Sequence, residues 1–406
     1  MGKSGNPAKS SQQKLKGIVS WFSNSPTAPT GYGVQSAQVL SRMKRDGLDV
    51  AVLSNYGREG VNGVWDSGFG EVPEYARGAD LYSQDVTPMN HVHHVASVET
   101  RKGKLPQLLI TLYDVWILKG KKYDTIPVAS WTPIDHTPIP PLVEAWCRRD
   151  NVIPIAMSKF GQEQLRLKGI EAEYIPHAVE SVFTPTFELN GKKTREYMGI
   201  GEDKFVVGMN FANKASGAVH RKAISEAFLA FALFAKDKPD AVLYIHSDMF
   251  GAFGGWSLPH LLTACGVREE QAVFCDQIAY RHGIPQSELA ALYTTMDVYL
   301  GISYGEGFGV GTIEAQACST PVIVSDVAAS PELVGDGWAV PCQPLWDDAQ
   351  KAWFNVPSVP MTVAALEEAY ASPRGKSEKA LKFAKQFDAE YVYQNYWIPF
   401  LKKHLK

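Results

Sequence analysis

Cysteine is scarce in this chain. Cys147, Cys265, Cys275, Cys318 and Cys342 are odd in number and scattered, and no C-x-x-C spacing occurs. A disulfide framework or a zinc knuckle is thereby excluded, and a reducing compartment fits. Long apolar runs are lacking too. The longest, AFLAFALFA at 227–235, has nine residues, against the roughly 20 that a membrane-spanning helix needs. Charge of one sign is also missing: 40 Lys+Arg stand against 43 Asp+Glu, so a strongly basic nucleic-acid binder is not expected. What the chain holds in quantity is apolar side chains, 45% of its 406 residues. They can bury a sizeable core, and at about 100–200 residues per domain the length suggests two or three domains.

Residues 1–16 are polar and carry Lys3, Lys9, Lys14 and Lys16. They read as a disordered basic tail without the apolar centre of a secretory signal, and a cytoplasmic protein is expected. Beyond them, short β-rich runs alternate with helical patterns. Strands are expected at 18–21, 50–53, 108–112, 128–131, 153–157, 205–209, 241–246, 298–302 and 321–325. Most are continuously apolar, as strands covered on both faces of a parallel sheet are. Helices are expected at 34–45, 159–167, 222–235, 286–296 and 312–317. This alternation predicts an α/β protein of two doubly wound, Rossmann-like domains facing a cleft, with a ligand at the carboxyl ends of the strands. The rhythm breaks over the polar stretch 177–200, which contains Pro185 and Gly191. The expected domains are therefore 17–180 and 200–375, followed by a helical segment at 376–406 that crosses back to the first. Pro399 should kink or end the last helix.

The segment most suited to chemistry is 301–332, GISYGEGFGVGTIEAQACSTPVIVSDVAASPE. It leaves a strand, passes a loop with Gly305, Gly307, Gly309 and Gly311, and enters a helix near Val310. Glycines let the backbone approach a ligand closely. A helix starting there aims free N–H groups and the positive end of its dipole into the loop, which suits a diphosphate. Two carboxylates frame it: Glu306 could face a sugar while Glu314 takes ribose hydroxyls. Upstream, Arg221 and Lys222 follow the strand expected at 205–209 and open the next helix. A guanidinium beside an ammonium can neutralise a diphosphate and stabilise a leaving charge, with Lys214 as a further candidate cation.

The N-terminal SNSPTAPTGYGVQS carries Gly31 and Gly33 at the first strand–helix turn. A ligand approach and a plain tight turn account for them equally well. A nicotinamide site is disfavoured, because the second strand ends Leu53, Ser54, Asn55 with no acidic residue. Asp135 and His136 lie on a loop after the strand expected at 128–131, with Asp114 a weaker candidate of the same kind. His91, His93 and His94 form H-x-H-H, a spacing that invites a metal. No carboxylate or cysteine stands beside them, and no metal is assigned. Basic clusters occur at Arg101, Lys102 and Lys104, at Lys119, Lys121 and Lys122, and at Arg148 and Arg149.

In combination these motifs resemble glycosyltransferase family 4. The resemblance rests on EGFGVGTIEA (306–315), TPVIVSD (320–326), PELV (331–334), PQSELAALYTTMDVYL (285–300), YIPHAVE (174–180) and the N-terminal glycine loop. It implies the two-domain GT-B fold and a retaining, nucleotide-sugar-dependent enzyme whose Glu-x(7)-Glu signature is Glu306 and Glu314. By the resemblance Glu306 contacts donor-sugar hydroxyls, backbone amides around Gly307, Phe308, Gly309 and Val310 hold sugar and phosphate, and Glu314 binds the ribose. It further implies that an Arg and a Lys after the first donor-domain strand bind the diphosphate, that Gly31 and Gly33 lie against donor and acceptor, and that an Asp or His such as Asp135 or His136 contacts the donor sugar. Asp326 and Glu332 receive only structural support. The chain departs from the usual Arg-x(4)-Lys-Gly pattern, for its Arg221 and Lys222 are adjacent and follow a longer loop.

The expected reaction is front-face displacement of a sugar from a nucleoside-diphosphate donor to an acceptor hydroxyl, without cofactor or metal. A nucleic-acid base, such as phage-type DNA glycosylation would use, or a protein surface stands as the alternative acceptor. A non-catalytic nucleotide-sugar binding module is the third reading.

Overall fold

The computed structural model describes residues 14–406 apart from 216–218, 253, 373 and 375. The expected tail lies outside the described residues except for its last three. There the Leu15 N–H donates to the Asp46 carbonyl at 3.0 Å. Every strand expected from an apolar run is present, with ends shifted by at most three residues. The chain divides into two compact units. One holds the residues up to 112 together with 117–129 and 398–406; the other holds 113–116 and 130–397.

In the first unit, strands lie in the order Gly63–Asp66, Glu71–Tyr75, Asp49–Tyr56, Ile18–Asn24 and Gln107–Leu112. All neighbours are parallel except the antiparallel outermost pair. Ile18–Asn24 is buried along its length except at its last residue, which is why it shows no alternation. Helix Gly31–Arg45 starts where the Thr30 hydroxyl accepts the Gly33 N–H at 3.0 Å. It ends with Arg42, Lys44 and Arg45 on the negative end of its dipole. Helix Thr87–Lys102 was not expected. Its buried face includes His91 and His94 beside Val95 and Val98, so no clean apolar stripe announces it. Ile398–His404 belongs to this unit. The sequence leads one to expect that Pro399 kinks or ends the last helix. It does not end it, for the chain passes directly from the π-helical stretch Tyr393–Trp397 into Ile398–His404, and a widened turn before a proline accommodates its missing N–H.

The second unit is built on a six-stranded, all-parallel sheet. Its order is Ala272–Phe274, Ala241–His246, Phe205–Asn210, Val298–Gly301, Val322–Ser325 and Gly337–Val340. In chain order that is 3-2-1-4-5-6, the doubly wound arrangement. Helix Ile224–Ala235 packs its phenylalanines Phe228, Phe231 and Phe234 into the core over Phe205, Val207 and Leu243, beside Leu366 of helix Val359–Ala371. After the last strand comes a two-stranded antiparallel hairpin, Cys342–Asp347 with Ala352–Pro357. No helix among the described residues is long and apolar enough to cross a membrane.

Candidate active site

In a 3-2-1-4-5-6 sheet the chain reverses direction between strands 1 and 4, and their carboxyl ends open a crevice. Here those strands are Phe205–Asn210 and Val298–Gly301. The loop after the first carries Arg221 and Lys222; the loop after the second carries Glu306. The backbone joins the two loops, since the Tyr304 N–H donates to the Arg221 carbonyl at 2.8 Å. Side chains then converge. Lys222 Nζ donates to Glu306 Oε1 at 2.5 Å, and Arg221 Nη1 donates to Glu306 Oε2 at 3.0 Å and to the Gly305 carbonyl at 2.6 Å. Both cations precede the helix, which begins at Ile224 after Ala223 in a left-handed conformation. They therefore do not open that helix, as the sequence suggested, but occupy the turn before it.

A third loop closes on this cluster. Asp135 Oδ2 lies 3.9 Å from Arg221 Nη1. His136 Nδ1 meets Asp135 Oδ1 at 2.7 Å, and its Nε2 meets Asp347 Oδ2 of the hairpin at 3.3 Å. The ring of Phe354, also from the hairpin, packs on His136 with centroids 3.8 Å apart. Asp347 and Phe354 were not singled out from the sequence. The only trace there is the alternation on either side of DDAQK.

The electrostatics follow from this crowding. Burial pushes the Glu306 carboxyl up, but Lys222 and Arg221 outweigh it and hold the group down at about 2. Burial also pushes Asp135 up, and the hydrogen bond from His136 with the charge of Arg221 brings it below the usual range. Burial works against the Arg221 cation, yet Glu306, Asp135 and Asp114 hold its pKa above the ordinary value. Lys222 is lowered by burial and by Arg221, against the pull of Glu306. The result is a cluster in which Arg221 and the carboxylates Glu306 and Asp135 each favour the charged form.

The glycines of this loop are used against protein. A Cβ on Gly307 would sit 2.4 Å from Pro133 Cβ, and one on Gly305 would sit 2.3 Å from the Asp135 carbonyl oxygen. Their smallness lets the loops at 133–135 and 305–307 touch. Gly309, at φ +110°, precedes helix Val310–Ala317, which starts two residues before the expected 312–317. Phe308 is buried with its ring on His177 and Phe387; only its backbone is free to serve a ligand. Glu314 is buried on the same short helix and accepts from the Tyr293 hydroxyl at 2.9 Å. Asn210 in turn donates to Tyr293 at 2.8 Å. Burial pushes Glu314 up to about 7, with the Tyr293 hydrogen bond opposing. Tyr293 and Asn210 were missed because each reads as an ordinary helix or strand residue.

The remaining candidates sit as follows. Gly33 is pressed against the first turn: a Cβ would lie 2.3 Å from the Ala28 carbonyl oxygen, whereas Gly31 has open space. Lys214 is exposed. His91 and His94 both bond the Ser20 hydroxyl, at 2.9 and 3.0 Å, while His93 bonds Tyr75 at 2.9 Å. Burial lowers His91 and His94 to about 4, so this H-x-H-H braces a helix on its sheet. Glu332 accepts the N–H groups of Lys159 and Phe160, at 2.9 and 3.1 Å, at the start of helix Lys159–Arg166.

Comparison with known proteins falls on one activity. Residues 216–352, about a third of the chain, match the family model described as Glycosyl transferases group 1. A D-inositol 3-phosphate glycosyltransferase of Paenarthrobacter aurescens is 27% identical over 186 residues, which is 42% of this chain and 41% of that protein. The chain thus spans about two-fifths of the length of this curated relative. Among solved structures, sucrose-phosphate synthase from Thermosynechococcus elongatus superposes with a TM-score of 0.68 at 16% identity, covering 95% of this chain and 99% of the other. A UDP-forming α,α-trehalose-phosphate synthase from Burkholderia vietnamiensis gives 0.63 at 11% identity, covering 95% and 99%. At such identities the likeness is one of fold, the GT-B fold of two Rossmann-like domains.

Proposed function

We propose that the chain is a retaining glycosyltransferase that moves a sugar from a nucleoside-diphosphate donor to an acceptor hydroxyl. One observation carries the reading: Arg221, Lys222 and Glu306 converge at the point where the second unit's strand order reverses. Two half-buried cations there match a diphosphate in charge. Glu306 now neutralises them; when the diphosphate takes its place, the carboxylate is released toward donor-sugar hydroxyls. Lys214 and the free amides at 307–310 add donors to the phosphates. Asp135, one loop away, contacts the sugar. His136, which the sequence suggested for the same role, does not: it is buried with both ring nitrogens on Asp135 and Asp347, and it positions Asp135 instead.

In front-face displacement the acceptor oxygen bonds the anomeric carbon on the face from which the diphosphate departs. The carbon–oxygen bond to phosphate breaks, and the acceptor proton passes to a leaving phosphate oxygen. Arg221 and Lys222 stabilise the charge that develops there. Such a reaction needs no metal, since the cations supply what a divalent ion would. The UDP-forming synthase with the same fold makes UDP the first nucleotide to try.

The test is thermal unfolding of the purified chain with UDP, GDP, ADP and their sugar conjugates, without added metal. A ligand at 100 times its Kd adds roughly 2.7 kcal/mol of stability. One nucleotide family should raise the midpoint, and Arg221→Ala should abolish the shift. If no nucleotide stabilises the wild-type chain, or if Arg221→Ala keeps the full shift, the proposal fails.

A further inference from the structure

The hairpin that braces His136 has a second face. On an antiparallel ribbon, directly paired residues share a face and successive residues alternate. Phe354 and Asp347 point inward to His136. Trp346 and Trp353 are a directly paired couple on the opposite face. Their rings meet edge to face with centroids 5.1 Å apart, and they remain 44% and 42% exposed. The ribbon is sewn to the catalytic loop. The Thr137 N–H donates to the Trp353 carbonyl at 3.2 Å, and the Trp353 N–H donates back to Thr137 at 2.9 Å. Thr137 is exposed and shares the indole face. A lateral row Trp346–Trp353–Thr137 therefore leads to within two residues of Asp135. By strand spacings of about 4.8 Å and 3.3 Å per residue, it ends on the order of 10 Å from that carboxylate.

The geometry points to this row as a binding site for an uncharged oligosaccharide acceptor, held by stacking of its sugar rings on Trp346 and Trp353. The inference rests on the glycosyl-transfer reading and specifies its acceptor. Indoles offer flat apolar faces with a polar N–H at the rim, and a pyranose offers an apolar C–H face with hydroxyls at its rim. The ribbon offers an anion no unpaired cation: Lys351 is paired with Asp348 at 2.6 Å, and Asp347 is turned inward to His136. A phosphate backbone or an anionic headgroup would find no charge partner there. An exposed aromatic couple can also serve a hairpin purely as a cross-strand clamp. That role would move stability and leave saccharide affinity alone.

The test uses the full chain and its Trp346→Ala, Trp353→Ala and Trp353→Phe variants. Malto-, cello- and manno-oligosaccharides are titrated at millimolar concentration and followed by tryptophan fluorescence. UDP, GDP and ADP are assayed in parallel by thermal shift. The wild type should bind at least one oligosaccharide, each alanine variant should bind it about tenfold or more weakly, and Trp353→Phe should recover most of that affinity. The nucleotide shift should stay at its wild-type value in all three variants. Nucleotide stabilisation without any saccharide binding overturns this inference and leaves the transfer reading intact; so does equal binding by all variants. Binding of a DNA oligonucleotide or anionic vesicle in place of a saccharide also overturns it. Saccharide binding with no nucleotide shift in the wild type would defeat the transfer reading instead.

Discussion

At the scale of the residue, the proposed ribose contact at Glu314 would couple ligand recognition to protonation. Ribose hydroxyls are donors, so they want an ionised carboxylate, yet burial holds this one near 7. Nucleotide affinity should therefore rise as pH is raised through neutrality, and Glu314→Gln should flatten that rise. Calorimetric titration of the stabilising nucleotide at about pH 6 and about pH 8 reads it directly. The linked effect on folding has the opposite sense. The unfolded carboxyl releases its proton near its ordinary value of 4.5, while the folded one keeps it to about 7. The native state thus binds more protons across that window, and stability falls as pH rises through it. At about 1.36 kcal/mol per unit the loss amounts to roughly 3 kcal/mol. Urea unfolding at about pH 4.5 and about pH 8 should show a smaller loss in Glu314→Gln than in the wild type. Identical pH slopes in the two proteins would mean that Glu314 titrates normally.

At the scale of the element, the two glycines of the first turn make different demands. Gly33 lies inside a close approach, with the Ala28 and Ser25 carbonyl oxygens at 2.3 and 2.8 Å from where a Cβ would stand; Gly31 has no neighbour within 4 Å. Gly33→Ala should cost roughly 1–3 kcal/mol by overpacking and lower the unfolding midpoint. Gly31→Ala should fold with wild-type stability or slightly better. If Gly31→Ala nevertheless loses transfer activity, its bare backbone serves the ligand. The same contrast explains what could be read from the sequence. Continuously apolar strands such as Ala241–His246 were legible because both faces are covered. The helix Thr87–Lys102 was not, because histidines bonded to Ser20 do the work of apolar residues there. The hairpin at 342–357 escaped because Pro344 and Pro357 interrupt its short apolar runs. Glu306 and Arg221 were legible as charges at strand–helix turns. Asp347, the partner of His136, was not, since nothing local tells that a carboxylate 211 positions away will face that ring.

At the scale of the whole molecule, charge decides between acceptor classes. The chain is close to neutral, with a formal charge of -3. A duplex is bound chiefly by unpaired cations that displace its counterions. The basic clusters seen in the sequence do not supply a row of them. Lys102 is paired with Asp49 at 2.8 Å, Lys104 with Glu99 at 2.6 Å and Arg148 with Glu144 at 2.8 Å. Exposed pairs of this kind add little to stability, but they cancel the field a polyanion would feel beyond a Debye length of about 8 Å. Arg221 and Lys222 are recessed and suit a single diphosphate rather than a backbone. Duplex DNA should therefore not be retained in a filter or gel-shift assay at about 0.15 M salt. The nucleotide that stabilises the fold should still do so there, because Arg221 and Lys222 are half-buried and screened less than surface charges. DNA retention with a steep salt dependence would show instead that Lys119, Lys121, Lys122 or Arg149 form a phosphate track, and would return a nucleic-acid acceptor to first place.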